Sequence, residues 1–282
     1  MIDKFITKQN FELTCPVAIT PDDSIFSAIL PAIRQEEAFI ISIIGPHVET
    51  VLETLEYSPA HPPLNHAECL LRDVVRYIFV AAFYRTLPQL DLVLTTTGFG
   101  VVSNNNIAPA SADRVGKLRV SLKREMDSAI DGILSSVRYI GEWASSHMAE
   151  EWISSIFWRG DHCRIFGMPD ATRSDLETLS PEIRKGEMSL RELVSSEFFD
   201  EMCANERKGS STGLWHDAIR LSRSYVYAVS RAPDTISMHR RILIGFLDRN
   251  PDIFSTYTES SACSANHFTH YENKKDDSCF FF

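Results

Sequence analysis

Apolar residues recur at helical spacing along most of the chain, and in two regions the same pattern stands 150 positions apart (181 − 31 = 150). Pro31, Ile33, Arg34 and Glu37 recur as Pro181, Ile183, Arg184 and Glu187, and Ile40, Ile43, Ile44, Val48 and Leu52 recur as Leu190, Leu193, Val194, Phe198 and Met202. The same shift carries His66 onto His216 and Tyr77 onto Tyr227. The pattern predicts one helical module used twice. The competing reading is that amphipathic helices resemble one another because all of them need the same apolar spacing.

Helix punctuation fills in the order of elements. Thr20-Pro21-Asp22-Asp23 is a start signal, with a hydroxyl cap, a proline where no donor is needed and two acids at the positive end of the dipole. The helix it opens should run to Gly45-Pro46 with a bend at Pro31. A second start at His61-Pro62-Pro63 leads into Leu70, Leu71, Val74, Val75, Ile78, Phe79 and Phe83, an apolar stripe ending near Leu87-Pro88. Residues 90 to 102 are β-branched and carry Gly98 and Gly100, which predicts a short β-ribbon. Val115, Leu118, Leu122, Met126, Ile130, Ile133, Val137 and Ile140 then mark one long amphipathic helix over 111–144. Trp143, Trp152, Phe157 and Trp158 should anchor it.

Residues 159–171, with Gly160, Gly167 and Pro169, read as a linker. Thr172-Arg173-Ser174-Asp175 has capping-box spacing and opens the second copy, with further helices expected at 214–230 and 234–249. Tyr257 to Ser264 takes the place that Leu94 to Val101 holds in the first copy. The fold class that follows is mainly α: two helical modules with a short β-ribbon and an extended C-terminal tail, divided as 1–158, 172–257 and 258–282.

Composition narrows the class. With 282 residues and a formal charge of −10, and no dense Lys/Arg stripe, the chain repels a phosphate backbone, so no direct sequence-specific nucleic-acid binding is expected. Six cysteines without a CxxC pair, and an N-terminal stretch without the apolar core of a signal peptide, predict free thiols in a reducing cytoplasm. The longest apolar stretch, Ala38 to Ile44, is far short of the roughly 20 residues that span a bilayer, so no membrane partner is expected.

Candidate chemistry is sparse. Cys263, His267, His270 and Cys279 are four zinc-ligand types in one region, but their spacing fits no familiar closed site, so no metal is assigned. Asp161-His162-Cys163 raises a nucleophilic thiol. Neighbours in sequence usually point apart, however, so no catalytic residue is assigned. His66 and His216 read as structural residues at helix starts. Gly98-Phe99-Gly100 lacks the strand, fingerprint and helix of a phosphate cradle, and no cofactor is expected. At the C-terminus Cys279 stands four from the end, as in a prenylation signal, but Phe280 and Phe281 are poor aliphatic mimics and no polybasic run precedes them. Terminal aromatics also occur in outer-membrane barrels, which need many alternating strands. Glu272 to Ser278 reads better as a tether that presents Phe280, Phe281 and Phe282 to a groove or a neighbour's sheet, with packing onto the chain's own core as the alternative. Together with Phe99 on the ribbon, these are the interaction residues.

The segment from Leu94 to Val115, with its Gly-Phe-Gly-Val-Val, Ala-Pro-Ala-Ser and Asp-Arg-Val pieces, resembles an uncharacterised family from Bacteroides-type prophages and phages, carried beside virion-assembly genes. The charged tail ending in aromatics adds to the likeness, which covers nearly the whole chain. Separately, Thr20-Pro21-Asp22-Asp23, the helix to Gly45 and the second helix to Phe83-Tyr84-Arg85 are similar to small phage head–tail connector proteins, helical modules that form a ring beneath the portal. The chain is longer than one such module, and its second copy lacks the glycine pair. The resemblance implies a non-catalytic virion protein, a connector or adaptor ring subunit that contacts itself, the portal and the tail. It would be found in the bacterial host cytoplasm during assembly and in the virion. The alternatives are a tail-completion or assembly factor absent from mature particles, and a cytoplasmic enzyme with an unrecognised site.

Overall fold

The computed structural model describes residues 2–15, 24–57, 62–90, 92–95, 98–101, 111–209 and 213–267. It is mainly helical and divides into two compact units. The first comprises 1–164, 168–177 and 207–210, and the second 165–167, 178–206 and 211–282. No helix among the described residues is long and apolar enough to cross a membrane.

In the first unit, helix α1 (Lys8–Thr14) is capped by the Thr7 hydroxyl, which accepts from the Asn10 amide at 3.2 Å. Its predicted successor's start, Thr20 to Asp23, lies outside the described residues. Helix α2 (Ser24–Glu53) continues through Pro31 and is interrupted at Gly45, whose φ of 79° and ψ of 160° are non-helical. Glycine takes a positive φ without the steric cost of a Cβ, and Pro46 restarts the helix where no donor is needed. At this break the Ile43 carbonyl accepts from the buried Trp143 indole N–H at 2.9 Å. The expected anchoring role of Trp143 thus has a specific partner.

Helix α3 (His66–Leu90) is capped by Asn65 rather than by the His61-Pro62-Pro63 start. Asn65 Oδ1 accepts from the Glu68 amide at 2.9 Å, and Glu68 accepts from the Leu64 amide at 2.8 Å, so two end donors are satisfied at once. Every residue from Tyr77 to Phe83 is buried, so the middle two turns of α3 are enclosed on all sides while its ends keep an exposed face. It packs against both α2 and α4 (Ala112–Val137) and forms the centre of the first unit's core. Pro88 sits inside its last turn. Between α3 and α4, β1 (Leu92–Thr95) pairs antiparallel with β2 (Gly98–Val101), Leu94 opposite Phe99. Helix α4 is capped by Ser111 and ends at Val137, short of the expected 144. Gly141 turns the chain with a φ of 56°, a 3-10 turn follows at Trp143–Ser145, and α5 (His147–Trp152) comes next.

The expected linker at 159–171 is instead partly ordered: Gly160–Phe166 is a 3-10 turn with Cys163 fully buried. The apolar side chains Cys163 and Phe166 give this segment its own anchorage, which its glycines and proline concealed. At its end the Thr172 amide donates to Asp175 at 2.8 Å and the Asp175 amide to the Thr172 hydroxyl at 3.4 Å, the reciprocal box that the spacing predicts.

The second unit contains most of α6 (Arg173–Val194), α7 (Ser196–Lys208), α8 (Leu214–Arg231), α9 (Ile236–Leu247), α10 (Ser255–Thr258) and α11 (Ser261–Asn266). Phe198 contacts Trp215, Phe254 and Tyr257 in an aromatic core. Residues 255–258 and 261–266 are therefore two short helices, so the segment Tyr257 to Ser264, set in the place of Leu94 to Val101, is not extended, and neither is the tail's first part. Burial of Phe254 and Tyr257, with the Ser260 hydroxyl accepting from the Cys263 amide at 3.1 Å, makes a helical turn the better satisfied state.

Within each unit the first two or three helices share a pattern of burial. Ile29, Ile33, Glu37, Ile40, Ile43, Ile44, Val48 and Leu52 are buried, as are Leu179, Ile183, Glu187, Leu190, Leu193, Val194, Phe198 and Met202. Gly45 is matched by Ser195, whose φ of 85° breaks the second pair at the same place (195 − 45 = 150). In the next helix the register differs from the expected one. Leu70, Leu71, Val74, Tyr77, Ile78 and Val80 match Ala218, Ile219, Ser222, Tyr225, Val226 and Ala228 at a shift of 148 (225 − 77 = 148). In this pattern of burial Tyr225 stands where Tyr77 does, whereas Tyr227 is only half-buried and edge-on to Phe166.

Candidate functional site

A group of acidic and basic side chains, among them Arg124, Asp127, Asp131, Arg159 and Asp161, lines a cleft of about 650 Å³ along α4 and the segment after it. Asp127 and Asp131 stand one turn apart on α4 and face this segment. Asp127 accepts from the Ser174 hydroxyl at 2.8 Å and from Lys123 at 3.0 Å. Asp131 accepts from the Gly160 amide at 2.8 Å and from Arg173 at 3.3 Å. Burial pushes the Asp131 carboxyl up, opposed by the Gly160 N–H and by Arg173 and Arg159. Arg159 grips Asp161 through two bonds of 2.6 and 3.0 Å and reaches the Ser135 hydroxyl at 3.1 Å. The acids and guanidinium groups that form these bonds are saturated by one another, an arrangement that clamps the 158–175 segment onto α4.

The Asp161-His162-Cys163 trio lies beside this clamp, with His162 Nε2 at 3.8 Å from Asp161 Oδ1. Asp161 is held by Arg159, while His162 Nδ1 accepts from the Trp158 amide at 3.3 Å and its ring meets Trp158 edge-on. Cys163 is fully buried, and burial first, then Asp175, Asp131 and Asp161, push its thiol up to about 11. A thiol held in that state is not a nucleophile at neutral pH.

Of the other singled-out residues, His66 is exposed and stacks on Tyr139 with ring centres 4.0 Å apart, and His216 is exposed near the start of α8. Phe99 stands in β2 opposite Leu94. Phe280, Phe281, Phe282, His270 and Cys279 lie outside the described residues. Cys263 and His267 do come together, and with a residue the sequence did not single out: Asp248, at the end of α9. Only a long-range fold contact brings that carboxylate in, so spacing could not have found it.

The second unit also presents an exposed face that the apolar pattern alone conceals. Met238 and Ile242, one turn apart on α9, are 46% and 42% exposed. On another side of the same helix Arg240 and Arg241 border a shallow notch with Ser237, Ile244 and Asn266. At about 100° per residue Arg241 neighbours Met238 along the helix, whereas Arg240 lies across the helix from it.

A family of unknown function (DUF6712) matches residues 49–138, about a third of the chain, from the last turns of α2 through α3 and the ribbon to the end of α4. No curated protein and no solved structure matches the chain.

Proposed function

We propose that this chain is a non-catalytic structural subunit of a phage virion, a connector or adaptor at the head–tail junction that associates with copies of itself and with the portal and tail. The observation that carries this reading is a pattern of buried positions that recurs 150 residues apart around the positive-φ residues Gly45 and Ser195. An internal duplication is its simplest origin. A head-to-tail contact needs two different complementary surfaces on one subunit, and two copies that have diverged by an inserted helix supply them. Helix α9 carries the exposed Met238 and Ile242 with Arg241 next to Met238, suited to an acidic, partly apolar surface on another copy. The charge of −10 keeps the assembly from gripping passing DNA. The resemblance of Leu94 to Val115 to a prophage family supplies the setting.

Native mass spectrometry of the purified chain is expected to show a closed oligomer, and particle proteomics to find the chain at a fixed ratio to the portal. Met238→Lys with Ile242→Lys should dissolve the oligomer into monomers while leaving the far-ultraviolet circular dichroism spectrum unchanged, since both side chains are exposed. A chain that stays monomeric and is absent from particles overturns the reading and favours an assembly factor or an enzyme.

A further inference from the structure

Asp248, Cys263 and His267 place one carboxylate oxygen, one sulfur and one imidazole nitrogen within 4.8 Å of one another. The cluster is assembled from two elements. Asp248 is the C-cap of α9, fixed by its own amide to the Ile244 carbonyl at 2.9 Å. Cys263 and His267 are one turn apart on α11, whose start is held by the Ser260 cap and whose end closes through the His267 amide to the Cys263 carbonyl at 3.2 Å. His267 Nε2 already lies 3.0 Å from Asp248 Oδ1.

We propose that this cluster binds a divalent transition cation, Zn²⁺ by the chemistry of its donors, and so ties α11 to the end of α9. Thiolate, imidazole and carboxylate together favour a borderline-soft ion over Mg²⁺ or Ca²⁺, which take oxygen sets. Bonds of about 2.0–2.3 Å in a tetrahedron put ligand atoms roughly 3.3–3.8 Å apart. Small side-chain rotations bring the present spacing to that. A thiolate and a carboxylate cancel the two charges of the ion, and water completes the fourth position. The thiol proton of Cys263 leaves to solvent as the metal–sulfur bond forms.

The surroundings fit a supported site. The buried Tyr257 hydroxyl hydrogen-bonds with Cys263 and accepts from Asn266 at 3.4 Å. Asn266, between the two ligands of α11, donates to the Leu193 carbonyl at 2.9 Å and accepts from Arg240 at 3.0 Å, which fixes the direction of the helix. Partners of this kind orient ligands and typically change affinity by about 10–100-fold when removed.

The test titrates the full-length reduced chain with Co²⁺ and then displaces it with Zn²⁺. One equivalent is expected, with a thiolate-to-cobalt charge-transfer band and the visible bands of a tetrahedral ion. Cys263→Ser should abolish the charge-transfer band, while Asp248→Asn and His267→Ala should each weaken binding about tenfold or more and Tyr257→Phe about tenfold. Cys279→Ser and His270→Ala should leave the band in place. Circular dichroism of each variant, matched to the parent, separates lost ligation from lost folding. No stoichiometric cobalt binding, or a band that survives Cys263→Ser, overturns the proposal.

Discussion

Ser195 and Gly45 both take a positive φ, 85° and 79°, with opposite chemical justification. Gly45 has no Cβ, and one added there would lie 3.0 Å from the Met148 methyl, so Gly45→Ala is expected to cost about 1–2 kcal/mol in urea denaturation. Ser195 accepts the strain and uses its hydroxyl to cap the Phe198 amide at 3.2 Å. Ser195→Gly trades that cap for relief of strain and should be neutral or stabilising by up to about 1 kcal/mol. A second residue-scale prediction concerns Asp73 on α3, which faces Gly132 of α4 so closely that a Cβ there would meet its carboxylate at 2.3 Å. Burial, offset by Arg72 and Arg76, pushes its carboxyl from 3.8 up to about 6. The folded chain therefore holds this proton more tightly than the unfolded one. The stability it contributes is complete below about pH 4 and is lost as pH rises through about 6, a change on the order of 2 kcal/mol. Asp73→Asn should flatten that slope in denaturation curves taken across this range.

At the scale of elements, helix ends and breaks decide more than helix interiors. The α2 break leaves a carbonyl that Trp143 satisfies from 100 residues away in sequence. Trp143→Phe keeps most of the ring and removes the donor, and is expected to lower unfolding free energy by about 1–3 kcal/mol, because a buried acceptor loses its partner. A matching loss of protection at the Gly45 break in hydrogen exchange would locate the effect there. The capping box at Thr172-Asp175 was legible because its residue types and spacing act over one turn. Asn65 was not, because Pro62 and Pro63 form a stronger local start signal just upstream, and only the register of the buried α3 face selects the later cap. Asp131 and Arg173 carry no motif, and their pairing appears only when α4 and the following segment fold together.

For the whole molecule, assembly and metal binding are separable expectations. The α9 double substitution acts on the exposed face and should leave cobalt binding intact, whereas Cys263→Ser should leave the mass of the assembly intact. Measuring both properties on both variants distinguishes a failure of one proposal from a failure of the other.

Apolar periodicity by itself determined the helical class, the interruption at Gly45-Pro46, the positions of α8 and α9, and the recurrence of one burial pattern at a shift of 150, because each depends on neighbours within a few turns. Tertiary structure alone decided the shift of 148 in the following helix, the enclosure of the middle turns of α3 on every side and the helical state of 255–258 and 261–266. It also brought Asp248 to Cys263 and His267. These outcomes depend on which surfaces meet, and a contact between distant segments leaves no spacing in the chain from which to read it.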